Sequence, residues 1–96
     1  MTLPAYSGYE NYPTWNVALW LNNEHGDYLY WTERAEELQD ECEDRDDLID
    51  TLAAELKEQI TEANPLGDGA SLFTDIMTWA MEHVNWHEVA ESFIED

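Results

Sequence analysis

Basic residues are scarce in this sequence. Lys57, Arg34 and Arg45 face 23 Asp and Glu, for a formal net charge of -20. A chain so acidic is repelled by phosphate backbones and by anionic membrane surfaces, which argues against direct nucleic-acid or membrane binding. Its expected partners are cations, basic proteins, or surfaces shaped to hold nucleic acid. A single cysteine, Cys42, excludes an intramolecular disulfide and fits a reducing compartment. No apolar run approaches the roughly 20 residues that a membrane helix needs. The N-terminus has no basic region followed by an apolar one, so no secretory signal is expected. The resulting expectation is a soluble, cytoplasmic protein. No stretch has clear period-two alternation, so a sheet is not expected either.

Hydrophobic residues make up 44% of the 96 residues and aromatics 12%, enough for one domain with a single modest core despite the charge. The apolar periodicity predicts an all-α domain: a compact bundle of four to five short helices behind an irregular arm, residues 1–13. Tyr6, Tyr9 and Tyr12 recur along that arm, where they are expected to lay their rings on the domain. A first helix of two to three turns is expected after Thr14 as cap, with Pro13 holding Tyr12 extended and Asn22 and Asn23 suiting a left-handed exit. Gly26 should break it from a second helix, Asp27 to about Asp44, with Tyr28, Trp31, Ala35, Leu38 and Cys42 on one stripe. A third, capped by Asp46 or Asp47, should run to Ala63 on Ile49, Leu52, Ala53, Leu56, Ile60 and Ala63. Asn64 to Gly69 is the clearest loop. A fourth helix, from about Ala70 to Val84, is apolar on more than one side and is expected to be the central, most buried one. Asn85 should cap a short fifth helix, with Glu88 completing a capping box.

The stretch from Asn11 to Asn23 carries no charge and two of the five tryptophans. Large aromatics dominate cores, so Trp15 and Trp20 are expected as core anchors. In the competing reading, Trp15, Asn16 and Trp20 line a binding surface. The run Tyr12-Pro13-Thr14-Trp15-Asn16-Val17-Ala18-Leu19-Trp20-Leu21-Asn22-Asn23 resembles a family of small, largely uncharacterised proteins of phages, prophages and plasmids, whose N-terminal pattern reads Tyr-x-Thr-Trp-Asn-Val-x-Leu-Trp. Val84-Asn85-Trp86-His87-Glu88-Val89-Ala90-Glu91 is similar to the family's C-terminal pattern. The resemblance implies a mobile-element origin and brings no reaction, cofactor or catalytic residue with it. The two motif segments are expected to pack together.

The densest charge lies between Glu36 and Asp50, where nine of fifteen residues are carboxylates: Glu36, Glu37, Asp40, Glu41, Glu43, Asp44, Asp46, Asp47 and Asp50. As a helix the run would carry one charge per roughly 2.5 Å at a rise of about 1.5 Å per residue. Duplex DNA carries one per roughly 1.7 Å of axis. The run also crosses the turn expected between the second and third helices, so it would form the tip of an acidic hairpin. It reads either as a phosphate mimic or as an ordinary solvated face, and salt adaptation would produce a similar composition.

Other chemistry is thinly signalled. His83 and His87 are split by the cap at Asn85, and no Glu lies between them as in a zinc protease. The acidic run lacks the glycine of a calcium loop. Gly67-Asp68-Gly69 lacks the lysine of a phosphate loop. Ser7, Ser71 and Ser92 have no base at a recognisable spacing. Cys42 reads as a small buried hydrophobe. No enzyme activity, cofactor or metal site is expected.

The leading expectation is a non-enzymatic inhibitor of the anti-CRISPR or anti-restriction type. Its nine carboxylates would occupy the basic site of a host nucleic-acid-binding protein. The alternative is a helical adaptor whose acidity only confers solubility or salt tolerance.

Overall fold

Capping residues set the helix boundaries in a computed structural model that describes residues 3–65, 69 and 71–94. The chain is all-α, with five helices among the described residues: α1 Tyr12–Asn23, α2 His25–Glu41, α3 Arg45–Glu62, α4 Leu72–Glu82 and α5 Trp86–Glu91. No helix among those residues is long and apolar enough to cross a membrane.

α1 starts earlier than its local signals suggest. The extended residue is Asn11, at φ -159° and ψ 173°, and its side chain accepts the Thr14 N–H at 2.9 Å. Tyr12 is therefore helical. Pro13 sits in the first turn, where its missing N–H leaves nothing unsatisfied. At the far end Asn22 and Asn23 stay in the helix. The Asn22 amide donates to Ala18 O and to Ser92 Oγ instead of forming a left-handed exit. The chain turns at one extended residue, Glu24, and α2 begins directly, with Gly26 and Asp27 inside its first turn. An extended residue turns this corner without glycine, which is why Gly26 is not the break.

α2 and α3 form an antiparallel hairpin joined by Cys42, Glu43 and Asp44. Three ties fix its register: Cys42 Sγ with Thr51 Oγ1 at 3.9 Å, Arg34 with Glu55, and Gln59 Nε2 donating to Tyr30 Oη at 3.2 Å. The Arg34 guanidinium donates twice to Glu55, at 2.7 and 2.8 Å, and once to Glu37 at 3.2 Å. The cap of α3 is Asp44, which accepts the Asp47 N–H at 2.8 Å. Asp46 and Asp47, expected as caps, fill the first turn, where the helix dipole favours anions. Cys42 ends α2, so this helix is shorter than expected.

The core lies where α3 packs on α2 and α5. Trp31, Ala35 and Leu38 of α2 meet Leu48, Ile49, Leu52, Ala53 and Leu56 of α3, with Val84, Trp86, Val89, Ala90 and Phe93 closing the cluster and Ala18 entering from α1. Leu48 was not on the expected stripe, Ile60 is only half-buried, and Tyr28 and Ala63, at the stripe ends, are exposed. Trp20 is not a core anchor. It is 65% exposed, because α1 turns Thr14 and Ala18 inward and leaves Trp20 outside that stripe.

α4 also departs from expectation. It is capped by Ser71, whose hydroxyl accepts the Thr74 N–H at 3.1 Å, and none of its residues is buried. α2, α3 and α5 already fill the core, so a helix apolar on several sides has nowhere to bury all of them. Ala70, the expected start, and Leu66, Gly67 and Asp68 of the expected loop lie outside the described residues.

The two motif segments meet in one clasp. Asn11 is buried and Thr14 is wholly inaccessible. Asn11 Oδ1 also accepts the Thr14 hydroxyl at 2.6 Å, while its amide donates to His83 O at 2.7 Å. Thr14 Oγ1 in turn accepts the Asn85 N–H at 2.8 Å. Asn85 Oδ1 caps α5 by accepting from His87 N and Glu88 N at 3.1 and 3.2 Å. Glu88 does not close a capping box on Asn85 N, since that donor is already taken by Thr14. Its carboxylate accepts the Glu10 N–H at 2.7 Å instead and ties down the arm.

The arm itself makes a tight turn. Tyr6 and Tyr9 exchange backbone hydrogen bonds of 3.0 and 2.8 Å around Ser7 and Gly8, both with positive φ, 48° and 89°. Turns of this kind suit glycine because it carries no Cβ. The Tyr6 ring then packs on Tyr12 and Trp15, with ring centroids 5.1 and 4.7 Å away.

Asn11→Ala removes a cap and strands buried partners, and should lower unfolding free energy by roughly 2–3 kcal/mol. Trp20→Ala should leave the thermal midpoint nearly unchanged. Parallel melts of the two variants check both, and a large loss for Trp20→Ala would contradict its exposed position.

Candidate functional site

Two surfaces on this scaffold differ in chemistry. One is the tip of the α2–α3 hairpin. All nine carboxylates from Glu36 to Asp50 are exposed there. The run does not form a line of charges, because the chain folds back between Glu41 and Arg45. Asp40, Glu41, Glu43, Asp44, Asp46 and Asp47 are gathered around one turn, so the duplex-like linear spacing is replaced by a compact cluster. Several members have structural work. Asp44 caps α3, Asp47 Oδ2 accepts the Glu43 N–H at 3.4 Å, Glu37 pairs with Arg34, and Asp50 Oδ1 lies 2.8 Å from His87 Nε2. Glu36, Asp40, Glu41 and Glu43 are the carboxylates that neither capping, first-turn placement nor these ties explain. Glu55 hydrogen bonds raise the Arg34 guanidinium above its usual value, fixing its charge within the hairpin.

The second surface is apolar and surrounds α4. Leu72, Phe73, Ile76 and Trp79 are exposed by 69, 68, 57 and 50%. A large exposed apolar patch is more informative than a single exposed leucine, because monomers seldom carry one without use. On one side of α4 a groove of about 610 Å³ runs between Met77 and Met81 and the end of α3 at Ile60. On the other, a groove of about 390 Å³ separates Phe73, Ile76 and Met77 from Pro13, Asn16 and Val17 of α1. Asn16 thus lines an apolar groove, and Trp20 follows it one turn later on α1.

Of the three motif residues weighed for binding, Trp20 is exposed, Asn16 is half-buried in the groove wall, and Trp15 is half-buried beneath Tyr6 and Tyr12. Leu72, Phe73, Ile76 and Trp79 were missed as surface residues. The signal was present: more apolar residues on α4 than one core-facing stripe can hold.

His83 and His87 are separated as expected from the cap at Asn85. His83 closes α4, with Nδ1 2.7 Å from Trp79 O. A carbonyl can only accept, so Nδ1 carries the proton. Among the described residues no group of three or more His, Cys, Asp or Glu is placed to hold a metal ion.

A model of a family of unknown function, DUF7249, matches residues 2–96. No curated protein and no solved structure matches.

Cys42 is half-buried, and burial pushes its thiol up, opposed by the Thr51 hydrogen bond and reinforced by Asp47 and Glu41. Its thiolate fraction near neutral pH is therefore below that of a free cysteine. Alkylation by iodoacetamide at mildly alkaline pH should run several-fold slower in the folded protein than in urea. Equal rates would contradict the shift.

Proposed function

The chain belongs to the DUF7249 family, and from its own geometry we propose that it is a non-enzymatic binding protein of a mobile element that blocks a host nucleic-acid-binding defence protein. The anti-CRISPR or anti-restriction reading rests on one observation above all: nine exposed carboxylates on a two-helix hairpin. A basic groove built to hold phosphates would accept such a tip, and long-range attraction would speed the encounter. The resemblance of both terminal motifs to phage, prophage and plasmid proteins supports the setting. The Arg34–Glu55 tie and the Asp44 cap support the rigidity that a competitor of nucleic acid needs, since a preformed tip is ordered before it binds.

The test uses carboxylates that do not hold the fold. Glu36→Gln, Asp40→Asn, Glu41→Gln and Glu43→Gln together spare the cap at Asp44 and the ties at Glu37 and Asp50. Helicity by circular dichroism should be retained, and stability should rise as repulsion falls. A basic protein captured from host lysate at low salt should be released by added salt and displaced by duplex DNA. The four-site variant should bind it about tenfold more weakly or worse. Unchanged affinity in the folded variant would refute the mimicry.

A further inference from the structure

The groove between α1 and α4 is made entirely of elements that the hairpin does not use. Its α1 wall comes from a helix with no charged residue, and α4 contributes only Asp75 and Glu82. All three basic residues of the chain, Arg34, Arg45 and Lys57, lie on α2 and α3. The groove is therefore an apolar trough with no charged side chain in its lining, in a chain of net charge -20. Phe73 and Ile76 stand more than half exposed on its α4 side, and Met77 and Met81 line its floor. Methionine side chains are unbranched and polarizable, and they re-pack around ligands of varying shape.

We propose that this trough seats a single amphipathic helix from a partner protein, apolar on the face that enters and lysine- or arginine-rich on its flanks. The apolar side follows from the lining. The basic flanks follow from charge complementarity, since every approach to the trough lies in the field of a -20 chain. The same field disfavours a second copy of this chain, which would bring another -20 to the interface. α4 has 11 residues, about 16 Å at the helical rise, so three turns of the guest would be covered. Its anchors would fall at i, i+3, i+4 and i+7. Asn16, half-buried in the wall, offers an amide to the guest's polar edge. This docking mode stands independently of the hairpin reading, because no residue of the tip lines the trough.

The probe is a synthetic Leu/Lys peptide, long enough for four to five turns, with Leu at the helical anchor spacing. Two controls share its length: the same composition scrambled so that no stripe forms, and the same stripe with Glu replacing Lys. Titration calorimetry should show the striped Leu/Lys peptide binding at least about tenfold tighter than either control. Shift perturbations in nuclear magnetic resonance spectra should map to α1 and α4. Phe73→Gln with Ile76→Gln should weaken binding about tenfold or more at unchanged helicity, since both side chains are exposed and outside the core. Met77→Gln provides a second variant on the same face. The four-site hairpin variant should keep the same map on α1 and α4, which separates failure here from failure of the mimicry. Equal binding by the scrambled peptide would reduce the effect to bulk charge and overturn the proposal. So would indifference to Phe73→Gln with Ile76→Gln. A dimer in sedimentation equilibrium that this double variant dissolves would place a second copy in the trough and overturn it as well.

Discussion

Two helix caps, interlocked through one hydroxyl, hold the ends of this chain together. Thr14 donates to the cap of α1 and accepts the backbone N–H of the residue that caps α5. Asn11 completes the link by reaching the carbonyl that ends α4. Helix-terminal donors and acceptors need partners, and here the side chains of Asn11 and Thr14 supply them. Substituting either partner therefore strands several polar groups at once, so the penalty is cooperative. The clasp also explains why the sequence has two conspicuous motifs about seventy residues apart. They are halves of one polar device. The asparagines at positions 11 and 85 are caps, and Thr14 is the bridge between them.

Charge is handled by placement. A chain at -20 must set self-repulsion against a modest core. It places acids where helix starts welcome them, at Asp44, Asp46 and Asp47, and spends Arg34 on a two-pronged pair that staples α2 to α3. The stapling matters because the hairpin tip is where repulsion is strongest. What remains after these structural uses is the surplus at Glu36, Asp40, Glu41 and Glu43. That surplus is the physical basis for reading the tip as a surface turned toward a basic partner.

α4 is the complement of the tip. The core is completed by α2, α3 and α5, and the clasp anchors α4 only through its C-terminal end at His83. Its apolar residues are left to line two grooves rather than a core. α3 spans about 27 Å at the helical rise, with the acidic tip at its start and one of the grooves at its end. The densest charge and an apolar groove thus lie at opposite ends of α3, an arrangement suited to holding partners by two different forces.

Periodicity and capping chemistry by themselves determined the class, a range of four to five helices, and most of the core. Trp31, Ala35, Leu38, Ile49, Leu52, Ala53, Leu56, Val89 and Ala90 are buried because stripes at helical spacing leave one face to hide. The cap at Asn85 and the hairpin tip were legible for the same reason, since local signals specify local structure. Only the tertiary structure decided which apolar surfaces were in excess. Trp20 and α4 carry all the marks of buried residues, but burial depends on whether other elements have already filled the space. The cap moved from Thr14 to Asn11 for a related reason: the Thr14 hydroxyl had a better use at Asn85, a partner 71 positions away. The sequence supplied the groups, and long-range packing settled how each was used.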